Sequence, residues 1–122
     1  MVTGFGTNRP DGQPQASRVD LSISAERGTG QHKLIVSMSG ELDAFNAQSL
    51  FDVVSGLELD GQRTVTLDLS GLTFCDAGGV SAVLRADRFL HDRGGRLKIR
   101  GVSGLPRRVF TLAGIDRVIE VD

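Results

Sequence analysis

The sequence predicts a single α/β domain on a mostly parallel sheet, with the element order β-β-α-β-α-β-α-β. Two observations predict it. Segments of period-two apolar alternation are separated by segments of helical apolar spacing, with glycines at the changeovers. The length of 122 residues suits one hydrophobic core. Strands that alternate with helices need crossover connections, which give parallel pairing of right-handed sense.

The chain opens on Met1 to about Arg18, rich in Gly, Thr, Asn, Pro, Asp and Gln and poor in apolar anchors. Residues 1–18 read as a disordered tail and residues 19–122 as the domain. The first strand is Val19-Asp20-Leu21-Ser22-Ile23-Ser24, where Val19, Leu21 and Ile23 alternate with polar residues. A turn at Gly28-Thr29-Gly30 leads to a second strand over residues 33–39, with Leu34, Val36 and Met38 on one face, so the pair forms a hairpin. Gly40-Glu41-Leu42-Asp43 closes that strand. Ala47, Leu50, Phe51 and Val54 then fall at helical spacing, with Asp43 or Asn46 as the N-cap and Gly56 as the stop.

The third strand is Thr64-Val65-Thr66-Leu67-Asp68-Leu69, and residues 70–75 read as a loop returning to the core. Asp76-Ala77-Gly78-Gly79 opens a second helix that runs to about Asp92. Val80, Val83, Leu84 and Leu90 form its buried face, Asp87 lies near that stripe, and Gly94-Gly95 ends the helix. Residues 96–100 alternate strictly and make the fourth strand. Ser103 caps a third helix that tolerates Pro106 in its first turn, takes its apolar contacts from Val109, Phe110 and Leu112, and stops at Gly114. Residues 118–121 make a short last strand.

Composition excludes several function classes. A net charge of −1 gives no electrostatic footprint for nucleic acid or for anionic lipid. With no Trp, no Tyr and six Phe, the chain offers few stacking platforms for bases. The single cysteine, Cys75, rules out an intramolecular disulfide and a cysteine zinc cluster. His32 and His91 stand far apart and read as surface residues, so neither a metal nor a cofactor is expected. No apolar run reaches the ~20 residues of a membrane span, and the first residues lack a signal-peptide core. Membrane insertion is therefore not expected, and the cytoplasm is the expected location. Neither a Ser-His-Asp nor a Cys-His set stands at suggestive positions, so catalysis is not expected.

Three stretches carry a family resemblance. Gly40-Glu41-Leu42-Asp43 resembles the Gly-Glu-aliphatic-Asp element of bacterial anti-sigma-factor antagonists, the STAS domain family. Residues 67–76, Leu67-Asp68-Leu69-Ser70-Gly71-Leu72-Thr73-Phe74-Cys75-Asp76, resemble its central strand and the approach to its switch loop. Gly94-Gly95 and the run 107–115 resemble its C-terminal third, so the likeness extends from about Val19 to Asp122. The resemblance implies a four- or five-stranded mixed sheet with helices mainly on one face. It also implies an anti-sigma factor as partner, often a serine kinase with an ATP-binding fold, whose capture frees a sigma factor for transcription. A small STAS subunit of a membrane-transport assembly, for a lipid or an anion, is the alternative.

The resemblance places the partner-binding surface at Asp43, Asp76, Ala77, Gly78 and Gly79. The family's switch is a hydroxyl residue directly after the aspartate, in an Asp-Ser/Thr-Ser/Thr-Gly sequence. Here that position is Ala77, the next is Gly78, and only Gly79 matches. Ala77 cannot accept phosphate. A phosphate would bring about two negative charges beside Asp43 and Asp76 and repel them, so its absence predicts a permanently binding-competent state or regulation elsewhere.

Each of these residues also has a plainer role. Asp76 and Asp43 can serve as helix caps, and Gly78-Gly79 can form a tight turn, can let a partner's backbone approach, or can cradle an anion. Ser81 reads as an ordinary surface serine or a displaced phosphosite. Cys75 reads as a small core side chain or a redox sensor. Arg85, Arg88, Arg93 and Arg96 read as a solvated face balanced by Asp87 and Asp92, with a phosphate-binding set as the alternative; Arg107 and Arg108 read as solvated too, and for these two pairing to an acidic partner is the alternative.

Overall fold

A computed structural model describes residues 21–27, 34–59, 61 and 63–122. The expected tail at 1–18, the start of the first strand at Val19, the turn at Gly28-Thr29-Gly30 and His32 lie outside the described residues. Within them the order is β1 (Ser22–Arg27), β2 (Leu34–Leu42), α1 (Ala47–Ser55), β3 (Thr64–Cys75), α2 (Ala77–His91), β4 (Arg96–Arg100), α3 (Gly104–Ala113), a 3₁₀ turn (Ile115–Arg117) and β5 (Glu120–Val121). The element order is the expected one. The five described strands form one mixed sheet in the order β1-β2-β3-β4-β5. β1 is antiparallel to β2, as a hairpin requires, and the remaining pairs are parallel.

Register explains why the sheet has one apolar face. Ala25, Val36, Leu67 and Ile99 stand side by side across four strands, and Leu34, Val65 and Leu97 form the next row. All of these side chains are buried. The alternate rows carry Ser24, Ser37, Asp68 and Arg100, and then Glu26, Ile35, Thr66, Lys98 and Glu120. On that polar face Arg100 and Asp68 pair across β4 and β3 at 3.1 Å, and Lys98 and Glu120 pair across β4 and β5 at 3.1 Å. The helices pack mainly on the apolar face, where α1 lies against α2. Among the described residues, no helix is long and apolar enough to cross a membrane.

Several expectations are corrected. β3 does not end at Leu69, and the expected loop at 70–75 is its continuation. Register shifts between Ser37 and Ser39 and between Gly40 and Glu41 absorb the irregularity. Gly71 permits this, because a Cβ there would lie 2.6 Å from that of Ser39. β1 ends later than expected, β2 runs on to Leu42, and β5 is two residues long after a 3₁₀ turn the sequence did not announce.

In α1 the inward face takes Val53, and Phe51 is only half-buried, its ring edge-on to Phe89 at 5.6 Å. In α2 Leu84 is 36% exposed, while Ala82, Ala86 and Asp87 are buried. The two alanines are small enough for α2 to sit close to its neighbours. Asp87 accepts a hydrogen bond from the Leu97 backbone N–H, one residue before β4 begins pairing with β5. In α3 Phe110 is buried but Leu112 is 88% exposed, and Pro106 takes the second inward position. Ser103 occupies the N-cap position without a side-chain cap bond, and Gly114 ends the helix in the left-handed conformation.

Candidate docking surface

Parallel pairing brings the carboxyl ends of β2 and β3 to the same edge of the sheet, with Leu42 beside Cys75. β3 runs into α2 through Asp76 alone and β2 reaches α1 through the loop 43–46, and this is the edge at which open α/β sheets usually carry their sites. The Asp76 N–H donates to the Leu42 carbonyl at 3.2 Å, so the two connections are joined through the backbone.

The β2–α1 connection is built by a reciprocal pair of side chains. Asp43 Oδ1 accepts from the N–H groups of Phe45 (2.9 Å) and Asn46 (3.1 Å). Asn46 Oδ1 accepts from the Asp43 N–H at 2.9 Å, and its Nδ2 donates to the Glu41 carbonyl at 2.8 Å. Both side chains are buried. Asn46 therefore occupies the N-cap position of α1, as one of the two alternatives had it, but its side chain is turned back into the loop and makes no cap bond. Asp43 acts as an Asx-type turn residue.

Asp76 is the N-cap of α2. Its Oδ1 accepts from the Gly79 N–H at 3.0 Å, and its Oδ2 accepts from the Ala44 N–H at 3.3 Å. One carboxylate thus caps a helix and holds the neighbouring loop against it. The glycines make that closeness possible. A Cβ at Gly78 would meet the Ala44 Cα at 2.6 Å, and one at Gly79 would meet Cys75 Sγ at 2.6 Å and the Leu42 carbonyl oxygen at 3.0 Å. Close approach, and not a positive φ, is what requires glycine at both positions. Ala77 points outward and is exposed.

The structure therefore brings Asp43, Asp76, Ala77, Gly78 and Gly79 together on one edge. Phe45 joins them, and the sequence reading missed it. It stands at the tip of the loop with 82% of its surface exposed. The available signal was a Phe between two capping candidates, outside any apolar periodicity, in a chain with few aromatics. Ser81 is exposed in the first turns of α2. Cys75 is buried beneath the surface; burial, with the nearby Asp76 charge, pushes its thiol up to about 12. A thiol held protonated is a poor nucleophile, which favours the core reading.

The arginines are less uniform than a solvated face. Arg85 lies over the Phe51 ring at 4.5 Å and Arg93 over the Phe89 ring at 3.6 Å. Asp87, expected to balance them, is buried and bonded to Leu97 instead. Arg107 is tied to the Val102 and Asp122 carbonyls at 3.3 and 3.4 Å.

Comparison with known proteins concerns nearly the whole described chain. The family model described as "Mlab, STAS domain" matches residues 25–120. The chain is 24% identical over 102 residues to the anti-sigma-B factor antagonist of Staphylococcus aureus, covering 84% of this chain and 94% of that one. In fold it is similar to an anti-sigma factor antagonist from Mycobacterium paratuberculosis, with a TM-score of 0.68 at 23% identity over 82% of this chain and 85% of that one. It is equally similar in fold to a sulfate transporter family protein from Wolinella succinogenes, with a TM-score of 0.68 at 19% identity over 78% and 80% of the two chains.

Proposed function

This chain belongs to the STAS domain family, and on that premise we propose that it is an antagonist-like docking module that binds an anti-sigma factor in the cytoplasm without catalysing a reaction. The edge formed by the β2–α1 loop and the start of α2 is its docking surface. Capture of the anti-sigma factor there releases a sigma factor for transcription.

The observation that carries this reading is the double role of Asp76, which caps α2 and holds the Ala44 N–H. A surface whose backbone is already fixed loses little further freedom on binding, which favours affinity. Phe45, at its tip, is the kind of exposed aromatic anchor that supplies most of the energy of a small interface. Asp43 and Asp76 act mainly by shaping this surface, since their oxygens accept bonds from within it.

The phospho-switch is absent in this reading. Ala77 has no hydroxyl, and Gly78 has no room for a side chain. The test is incubation with the host's anti-sigma kinases and ATP, read by intact mass, beside pull-downs with wild-type and Ala77→Asp protein. Retention of the wild type, loss of the Ala77→Asp variant and an unchanged mass are expected. Stoichiometric phosphate on residues 76–81 would overturn the unswitched reading, and equal retention of both proteins would overturn the site.

The likeness in fold to a sulfate transporter family protein supports a second reading, a STAS subunit of a transport assembly. Co-purification of an ABC-type ATPase in place of an anti-sigma factor would decide for it.

A further inference from the structure

Charge is divided along this chain, and the division falls on the docking edge. Residues 34–59 and 64–84 contain six carboxylates and no Lys, Arg or His. Residues 85–117 contain nine of the 14 Lys and Arg. The first two stretches supply β2, α1, β3 and the first half of α2, and so the whole of the edge formed by the β2–α1 loop and the start of α2. The overall charge of −1 conceals this division.

Three of the six carboxylates stand at that edge. Asp43 and Asp76 accept bonds from backbone N–H groups, which orient the carboxylates but carry no compensating formal charge. Glu41 is half-buried and stands beside Phe74 in the register of β2 and β3, one residue before the Leu42–Cys75 pair that ends both strands. Ala44, Phe45 and Ala77 are exposed among them. Elsewhere on the sheet, carboxylates are matched: Asp68 by Arg100 and Glu120 by Lys98. Among the described residues, no ion pair engages Glu41 or Asp76.

We propose that the surface this edge receives is basic: a partner protein's surface whose Lys or Arg side chains face Glu41 and Asp76 around an apolar seat for Phe45. The proposal rests on the reading of this edge as the docking surface and adds the chemistry of the partner. Unmatched charge of one sign selects the opposite sign, because like charges brought together at an interface lose hydration without gaining attraction. Nucleic acid and anionic lipid are excluded as occupants by the same argument. The field of the carboxylates also steers approach, so part of the effect lies in the association rate.

The test uses the full chain, labelled with ¹⁵N, and two synthetic peptides that share one Leu-Phe core, one flanked by Arg and the other by Glu. The Arg peptide should shift amides at 41–46 and 74–79, and its binding should weaken as salt is raised. Glu41→Lys should weaken it by about tenfold or more, and Glu41→Gln, which keeps the shape of the side chain, by a smaller factor. Glu58→Lys makes the same charge change at an exposed position beyond the far end of α1 and should alter binding by less than about twofold. Equal binding of the Glu peptide, no shift at these amides, shifts centred on residues 85–117, or equal effects of Glu41→Lys and Glu58→Lys would each overturn the proposal. Concentration-dependent shifts of the same amides without peptide would give the edge to a second copy of this chain, and would likewise overturn it. Failure of the anti-sigma pull-down bears on the identity of the partner alone and leaves the peptide result standing, so the two readings fail separately.

Discussion

A Cβ at Gly78 would stand 2.6 Å from a backbone atom, Ala44 Cα, and so could not be relieved by a rotamer change. Gly78→Ser should therefore destabilise the protein by about 1–3 kcal/mol. Ala77→Ser, at the exposed neighbouring position, should lie within about 0.5 kcal/mol of wild type. Urea denaturation of the two variants checks this, and equal stabilities would contradict the close approach. Cys75 carries a second expectation. Unfolding releases its thiol to its ordinary value near 9.0, whereas the folded protein holds the proton until about 12. The unfolded chain then binds fewer protons above pH 9, so this contribution to stability is intact below that pH and declines as pH rises toward 12. A Cys75→Ala variant should show a shallower alkaline decline in denaturation midpoint, and alkylation of folded wild type at pH 8 should be far slower than that of the unfolded chain.

At the scale of elements, α2 and the β2–α1 loop behave as one unit because a single carboxylate serves both. Asp76→Ala should cost about 0.5–2 kcal/mol as a lost N-cap. It should also do something a cap alone would not. Protection from hydrogen exchange should fall together at Gly79 and at Ala44, two residues far apart in sequence. A fall confined to the helix end would mean that the bond to Ala44 carries no weight. The same scale explains the misassigned faces. Helical spacing says which residues can share a stripe, but α1 and α2 each touch both the sheet and one another. Phe51 and Leu84 were expected inside, and both lie along the flank that these helices leave open as a groove.

For the molecule as a whole, the core and the proposed docking surface are separate. The core lies between the apolar face of the sheet and the helices, whereas the proposed docking edge lies where the parallel strands end. Phe45 contributes little to the core because most of its surface is exposed. Phe45→Ala should leave the melting temperature unchanged within about 1 °C, yet weaken capture of the anti-sigma factor by about tenfold or more. Loss of stability in step with loss of binding would instead make Phe45 a structural residue. Of this edge, Asp43 and Asp76 to Gly79 were singled out by the family resemblance, and the capping role of Asp76 was legible from local chemistry. Phe45 was not legible, because nothing local distinguishes a displayed aromatic from a buried one.

The order of elements and the mixed sheet were readable from the residues, and the lack of a hydroxyl at Ala77 from the residues set beside the family's pattern. These depend on period, turn chemistry and residue identity, which act over a few positions. Tertiary structure alone decided that β3 continues through Ser70 and Gly71, since only pairing with β2 gives that irregular stretch its partners. It decided that Asp43 points into its own loop and that Asp76 reaches across to Ala44. It also decided that Gly78 is glycine because another chain segment presses on it. Contacts between residues distant in sequence leave no period to read, and the bonds that join the β2–α1 loop to the start of α2 are such contacts.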